Sequence, residues 1–275
     1  MAGADGRLSG GRLSAGRRGP IGVFDSGVGG LTVVSALRRW LPGEPILYLG
    51  DTARLPYGIK SAATVRRYTR RNVEFLVGRG VRAVVVACNT ASAVALDGLD
   101  PGLPLWGVVE PGARHATELT SGRVGVIGTA STILSDAYPR ALRRLRPELE
   151  IFSRACPLFV PLVEEGWHED AVTETIARRY LEPLLGEGID TLVLGCTHYP
   201  LLARLIQRVA GPAVRLVDSA AAVAETVARE LAPDATGEPP PEDHFCVTDG
   251  PERFGELARR ILGDSSVSLE LVEMV

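Results

Sequence analysis

Two runs of this sequence, Val84-Val-Val-Ala-Cys88-Asn-Thr90 and Leu192-Val-Leu-Gly-Cys196-Thr-His198, repeat one pattern. Each is a short, continuous apolar run of the kind that forms a strand buried on both faces. Each ends in a cysteine followed by small polar residues able to open a helix. Strands covered on both faces belong to parallel sheets flanked by helices, and ligands of such sheets gather at the strand C-termini. The pattern therefore points to an α/β fold and places two thiols where a ligand sits. If two halves of the chain face each other, the thiols flank one substrate, so that one removes a proton while the other delivers one.

The rest of the chain alternates in the same way. Short apolar runs at 21–24, 46–49, 83–87, 105–109, 124–127, 191–194 and 214–217 read as strands, and amphipathic stretches such as 61–78 and 171–185 read as helices with arginines and glutamates on their solvent faces. Ile21-Gly-Val-Phe-Asp25-Ser-Gly is echoed by Val124-Gly-Val-Ile-Gly-Thr129, and the offset between these openings nearly equals that between Cys88 and Cys196. A near-constant offset implies two related units. The expected architecture is two pseudo-symmetric lobes with mostly parallel sheets flanked by helices and the active site between them. Residues 1–20, rich in Gly, Ser and Arg, are expected to be a disordered tail. Residues 21–112 form the first lobe, residues 113–219 the second, and residues 220–275, through a Pro/Gly/Glu linker at 233–243, a strand at 245–248 and a helix at 252–262, return to complete the first.

Composition narrows the function classes. The chain has 275 residues, 45% apolar and 23% charged, enough for a core in each of two lobes. A net charge of −3 gives no general reason to bind nucleic acid or a membrane surface, and no apolar run approaches the about 18 residues of a membrane span. Four widely spaced cysteines without a signal-peptide pattern suggest reduced thiols in the cytoplasm. Cys156 and Cys246 lack useful polar neighbours and read as small buried hydrophobes. Cys88 and Cys196 each meet a helix start, where the helix dipole and free N–H groups favour thiolate over thiol.

Other segments belong to the same sheet edge. Asp25-Ser26-Gly27-Val28-Gly29-Gly30 follows a strand and precedes a helix. Its N–H groups could hold an anion, Asp25 could take a substrate ammonium, or the segment could be a tight turn with Asp25 as helix cap. It is neither a GxGxxG dinucleotide fingerprint nor a P-loop. Asp51 ends the next strand, and Pro56-Tyr57-Gly58 follows in a loop, read either as a plain turn or as a ligand-orienting element. His198 lies two residues after Cys196, so Cys88, Cys196 and His198 could supply three metal ligands, although paired metal-ligand spacing is absent. A cysteine hydrolase would use one thiol and leave the duplication unexplained. Glu164 could orient His198 or bind an ammonium group, or Glu164-Glu165 could be an ordinary surface pair. His115 and His168 receive no role, and Asp218 reads as a cap for the helix that follows it. Pyridoxal chemistry needs a Schiff-base lysine, and Lys60, the single lysine, lies outside both cysteine motifs. No cofactor and no metal are expected.

Five ordered motifs, Phe24-Asp-Ser-Gly-Val-Gly-Gly-Leu31, Gly50-Asp-Thr-Ala-Arg-Leu-Pro-Tyr-Gly58, Ala87-Cys-Asn-Thr-Ala-Ser92, Val109-Glu-Pro-Gly112 and Gly195-Cys-Thr-His-Tyr-Pro-Leu-Leu202, resemble those of the glutamate racemases. The resemblance implies cofactor-independent interconversion of L- and D-glutamate, supplying D-glutamate for peptidoglycan. It implies that Cys88 and Cys196 are the acid/base thiols, the first acting on D-glutamate and the second on L-glutamate. Asp25, Ser26, Tyr57, Gly58, Asn89, Thr90, Thr197 and His198 would hold the substrate, with Asp25 and His198 also helping the first and second thiol respectively. Glu164 matches a further family carboxylate, and a homodimer is the implied assembly. A two-thiol enzyme acting on aspartate or another carbanion precursor, or a non-catalytic binder of a small anion or a protein partner, are the competing readings.

Overall fold

The computed structural model describes residues 19–231, 242–263 and 268–274. The expected tail at 1–20, apart from Gly19 and Pro20, and most of the linker at 233–243 lie outside the described residues. The chain alternates β1 (Ile21–Asp25), α1 (Leu31–Trp40), β2 (Ile46–Gly50), α2 (Ala62–Gly78), β3 (Ala83–Val86), α3 (Asn89–Ala95), β4 (Leu105–Gly107) and α4 (Val109–Leu119). It continues through β5 (Arg123–Gly128), α5 (Ala130–Leu134), α6 (Ala137–Leu145), β6 (Glu150–Ala155), α7 (Phe159–Glu164), α8 (Ala171–Gly186), β7 (Thr191–Gly195), α9 (Ala203–Ala210), β8 (Arg215–Asp218) and α10 (Ser219–Glu230). It closes with β9 (His244–Val247), α11 (Pro251–Leu262) and β10 (Leu269–Leu271).

The strands form two sheets, ordered β10-β9-β2-β1-β3-β4 and β6-β5-β7-β8, in which the strand pairs run parallel. The fold is α/β with two helix-flanked parallel sheets. The order β2-β1-β3-β4 in one sheet is the order β6-β5-β7-β8 in the other, so the repeated sequence pattern corresponds to a repeated topology. In both, the first strand of the unit (β1, β5) is the point where the strand order reverses, and the crevice beside it is bounded by β3 or β7. Such a reversal opens a crevice at the strand C-termini. Cys88 and Cys196 each stand just beyond the strand that bounds it.

The central strands β1, β2, β3 and β7 are buried along their whole length, which explains why their sequences are continuous apolar runs rather than alternating ones. Side-chain caps fix several helix starts. Ser61 accepts the N–H of Thr64 at 3.3 Å, Asp170 that of Val172 at 2.7 Å and Asp218 that of Ala220 at 2.8 Å. Two local expectations need correction. The run 105–109 is strand only as far as Gly107, because Val108 and Val109 already enter α4, whose inner face joins the core of the second sheet with Val124, Val126 and Val193. Strand β6 has no apolar run to announce it. It is an edge strand with every residue at least partly exposed, so Glu150 and Arg154 sit in it without penalty.

Leu192, fully buried in β7, lies against Gly125, where an added Cβ would come within 3.0 Å of its Cδ1. Leu192→Ala leaves a cavity that this close-packed layer cannot fill and is expected to lower unfolding stability by about 2–5 kcal/mol. The denaturant midpoint in urea is the check, and a midpoint equal to that of the parent contradicts it.

Candidate active site

The two crevices face each other across a narrow seam. An added Cβ on Gly29 would lie 2.4 Å from Thr197 Oγ1 and 2.5 Å from His198 Nδ1, and one on Gly58 would lie 2.6 Å from the Cβ of Thr129. At both places the lobes touch with no room for a side chain. Hydrogen bonds cross the seam beside them. Thr32 Oγ1 donates to the Thr197 carbonyl at 3.2 Å, Thr197 Oγ1 to Asp25 Oδ1 at 3.3 Å, and Ser131 Oγ to the Lys60 carbonyl at 2.9 Å. Thr90 Oγ1 lies 2.9 Å from Thr129 Oγ1 and 3.2 Å from Thr132 Oγ1.

The seam encloses a cavity of about 30 Å³. Its walls include Ser26, Tyr57, Gly58, Cys88, Asn89 and Thr90 from one lobe and Cys196, Thr197 and His198 from the other. Leu55, Pro56, Thr129, Val160 and Glu164 also line it. Asp25 is fully buried and stands behind the wall rather than in it. The volume suffices for a water or two. Leu55 and Glu164 also line an adjoining cleft of about 280 Å³, which makes them the partition between the cavity and the outside.

Each thiol has its own surroundings. Cys196 Sγ lies 4.0 Å from His198 Nδ1, and His198 Nε2 lies 3.2 Å from Glu164 Oε1. A carboxylate on one ring nitrogen directs the other nitrogen at the thiol. Burial alone pushes the His198 imidazole down, but Cys196, Glu164 and Asp25 together hold it well above the ordinary histidine range. Burial pushes the Glu164 carboxyl up, and the bond and charge of His198 outweigh it, leaving Glu164 below its usual value. Across the cavity, Cys88 Sγ lies 3.6 Å from Ser26 Oγ. Burial and, after it, the nearby Asp25 push the Cys88 thiol up to about 12, against the pull of the Ala91 N–H and the Ser26 hydroxyl. The helix start does lower this thiol as the sequence pattern suggests, but dehydration is the larger effect in the closed site.

Three further residues differ from the simple sequence picture. Asp25 does not cap α1 through its side chain. Its Oδ2 accepts the N–H of Gly27 at 3.0 Å, and its pKa is raised by burial against the lowering effects of His198, the loop amides of Gly27 and Gly30, and Thr197. The amides expected to hold a ligand anion therefore serve the protein's own carboxylate. Tyr57 hydrogen-bonds Asp51 through its hydroxyl and receives the Asn72 amide at 3.0 Å, so its ring, rather than its hydroxyl, is offered to the cavity. Asn89 donates to Tyr138 at 2.7 Å and to Ser219 at 3.2 Å, leaving its buried Oδ1 without a partner. Among the described residues, Cys88, Cys196 and His198 do not form a metal-ligand cluster. Thr129 was not singled out as a site residue, although the echo of 21–27 at 124–129 places it where Ser26 falls in the first lobe. Val160 carries no sequence signal, since it reaches the cavity only through the docking of α7.

The Asp/Glu/hydantoin racemase family profile matches residues 21–227. A glutamate racemase of Syntrophus aciditrophicus is 54% identical over 262 residues, covering 93% of this chain and 97% of its own. The chain belongs to the Asp/Glu/hydantoin racemase family. Among solved structures, a glutamate racemase isoform of Bacillus anthracis superposes with a TM-score of 0.88 at 40% identity, covering 94% of this chain and 99% of its own. The glutamate racemase of Francisella tularensis, solved in complex with D-glutamate, gives a TM-score of 0.86 at 36% identity, covering 93% and 98%.

The coupling of His198 to Glu164 has a measurable consequence. His198 has a raised pKa when folded, so its contribution to stability is complete below the unfolded value of about 6.5 and is lost as pH rises through the folded value. Glu164→Gln is expected to lower the His198 pKa and flatten this alkaline loss. The imidazole titration followed by NMR, with urea midpoints at pH 6 to 10, is the check, and a His198 titration unmoved by the substitution contradicts it.

Proposed function

We infer that this protein interconverts L- and D-glutamate, with Cys88 and Cys196 as the proton-transferring groups. The reading rests on one observation above all. Topologically equivalent cysteines from two lobes line one cavity. Inverting an α-carbon directly needs a base on one face and an acid on the other, both close to the reacting carbon. A pseudo-symmetric pair of strand ends supplies that arrangement without a carbonyl cofactor, and Lys60 is not among the residues lining the cavity.

The proposed steps follow from the surroundings of the two thiols. A charged His198, held by Glu164, stands beside Cys196, whereas burial beside Asp25 keeps the proton on Cys88. Cys196 removes the α-proton of L-glutamate and Cys88 delivers its proton to the opposite face. The reverse reaction starts with Cys88 as thiolate and Cys196 as thiol. The carbanion formed between the two transfers is dispersed into the adjacent carboxylate. That group meets hydroxyl and amide donors from Ser26, Asn89, Thr90 and Thr197 in a site closed to water. His198 is the sole basic side chain among the lining residues, so the substrate carboxylates are held mainly by neutral donors, and the unpartnered Asn89 Oδ1 suits the ammonium group. Gly58 and the ring of Tyr57 shape the side-chain end.

Several finer features belong to the same reading. The enzyme supplies D-glutamate for peptidoglycan in the cytoplasm. No helix among the described residues is long and apolar enough to cross a membrane. Its lobes are 21–112 with 220–275, and 113–219. It works as a homodimer, for which the exposed Leu134 and Ile59 offer apolar surface. Glutamate rather than aspartate is the substrate, in keeping with the high identity to glutamate racemases.

Incubating L-glutamate with the reduced protein in D₂O, chelator present and no cofactor added, is expected to yield D-glutamate deuterated at Cα. Aspartate should turn over at a small fraction of that rate. Cys88→Ser and Cys196→Ser should each lower racemisation by at least about 10²-fold, the usual contribution of a positioned acid or base. Retention of a tenth of the parent rate in either variant would overturn the two-thiol assignment, while faster turnover of aspartate would overturn only the choice of substrate.

A further inference from the structure

A second group of reactive side chains lies at the far edge of the first sheet, away from the cavity. His244 and Cys246 are two residues apart on β9 and therefore project from the same face of the sheet. Glu270 on β10 stands directly opposite Cys246 in the parallel register. His244 Nε2 lies 2.7 Å from Glu270 Oε2, and Cys246 Sγ lies 3.7 Å from the same oxygen. One ligand atom from each of the three residues falls within 4.8 Å of the other two.

We propose that His244, Cys246 and Glu270 form a binding site for a divalent transition-metal ion of the zinc class. Nitrogen, thiolate sulfur and carboxylate oxygen are the ligands zinc takes, and in a tetrahedral site they lie about 3.5 Å apart. The observed spacings bracket that value, so closing around an ion asks for side-chain shifts well under the width of a strand. An imidazole, a thiolate and a carboxylate together carry two negative charges, which balances a divalent ion. Water completes the tetrahedron. On binding, the Cys246 thiol gives its proton to solvent and the sulfur takes the metal in its place.

The surroundings suit this role. Arg79, at the C-terminal end of α2, donates to Glu270 Oε1 at 2.6 Å and to Oε2 at 2.9 Å. When Oε2 turns to the ion, Arg79 keeps Oε1 and fixes the carboxylate, as outer partners of metal ligands do. The site has a buried end and an open end. Cys246 is buried, whereas His244 is 49% and Glu270 37% exposed, which leaves an entry path from solvent. The ion would join β10 to β9 and so pin the C-terminal strands that flank α11.

Cobalt titration of the full-length, chelator-stripped and reduced protein tests the proposal, because a thiolate bound to Co²⁺ gives a charge-transfer band in the near ultraviolet. One equivalent is expected to bind and to raise the melting temperature. The band should vanish in Cys246→Ser and persist in Cys88→Ser and Cys196→Ser. His244→Ala changes an exposed side chain and leaves the core intact, and it should weaken binding by more than about 100-fold, beyond the loss typical of an outer-shell partner. Three results would each overturn the site: no band in the parent, a band that survives Cys246→Ser, or equal affinity in His244→Ala.

Discussion

Exclusion of water between the two lobes is the constraint on which the rest of the structure depends. Gly29 and Gly58 allow backbone to meet Thr197, His198 and Thr129 without an intervening side chain, and the cavity behind them shrinks to about 30 Å³. Where water is excluded, polar groups at the seam turn to protein partners, although Asn89 Oδ1 has none. Asp25 finds Gly27 and Thr197, His198 finds Cys196 and Glu164, and Asn89 finds Tyr138 and Ser219. Asp25, Thr197, His198 and Glu164 form one run of contacts that crosses the seam. The closed arrangement and the pairing of these groups therefore stabilise each other, and parting the lobes hydrates both.

Dehydration also makes the two thiols unequal. The repeated topology places Cys88 and Cys196 at equivalent strand ends, but what surrounds them comes from parts of the lobes that are not alike. On the second side, α7 brings Glu164 to His198, whose Nδ1 stands 4.0 Å from Cys196 Sγ. On the first side the Asp25 carboxylate acts with burial to keep the proton on sulfur. A repeated scaffold thus gives the two cysteines unlike surroundings because the flanking elements diverge.

Much of this was legible in the sequence, and the reasons are physical. Continuous apolar runs report burial on both faces, so β1, β2, β3 and β7 are readable from composition alone. The cysteine at the end of a run and the offset between the copies lead to two facing crevices. Edge strands escape the same reading, since β6 is solvated and its charges break the pattern. The start of α4 is blurred because Val108 and Val109 suit a strand as well as a helix. Which atoms of a site residue stay available is hidden for another reason. Tyr57 is held by Asp51 and Asn72, and Asp25 by Thr197 from the other lobe as well as by nearby Gly27, and the sequence pattern does not report the Asn72 and Thr197 contacts. Sequence spacing also predicts the sign of the helix-dipole effect on Cys88 but not its size relative to burial, which depends on how closely the second lobe seats.

Mirror symmetry limits what that inequality of the thiols does. L- and D-glutamate have equal free energies in water, so kcat/KM must be equal in the two directions, whatever the protein does to either cysteine. Any preference for one protonation state of a thiol pair readies a free racemase for one enantiomer, but the same free energy reappears as a barrier to resetting the protons for the other. What the surroundings of the thiols can divide is kcat from KM within each direction. Glu164 and Asp25, acting through His198 and on Cys88 respectively, are placed to shift that division. Substitutions at either position should therefore move kcat and KM for one enantiomer together, while the ratio of kcat/KM between the enantiomers stays at one.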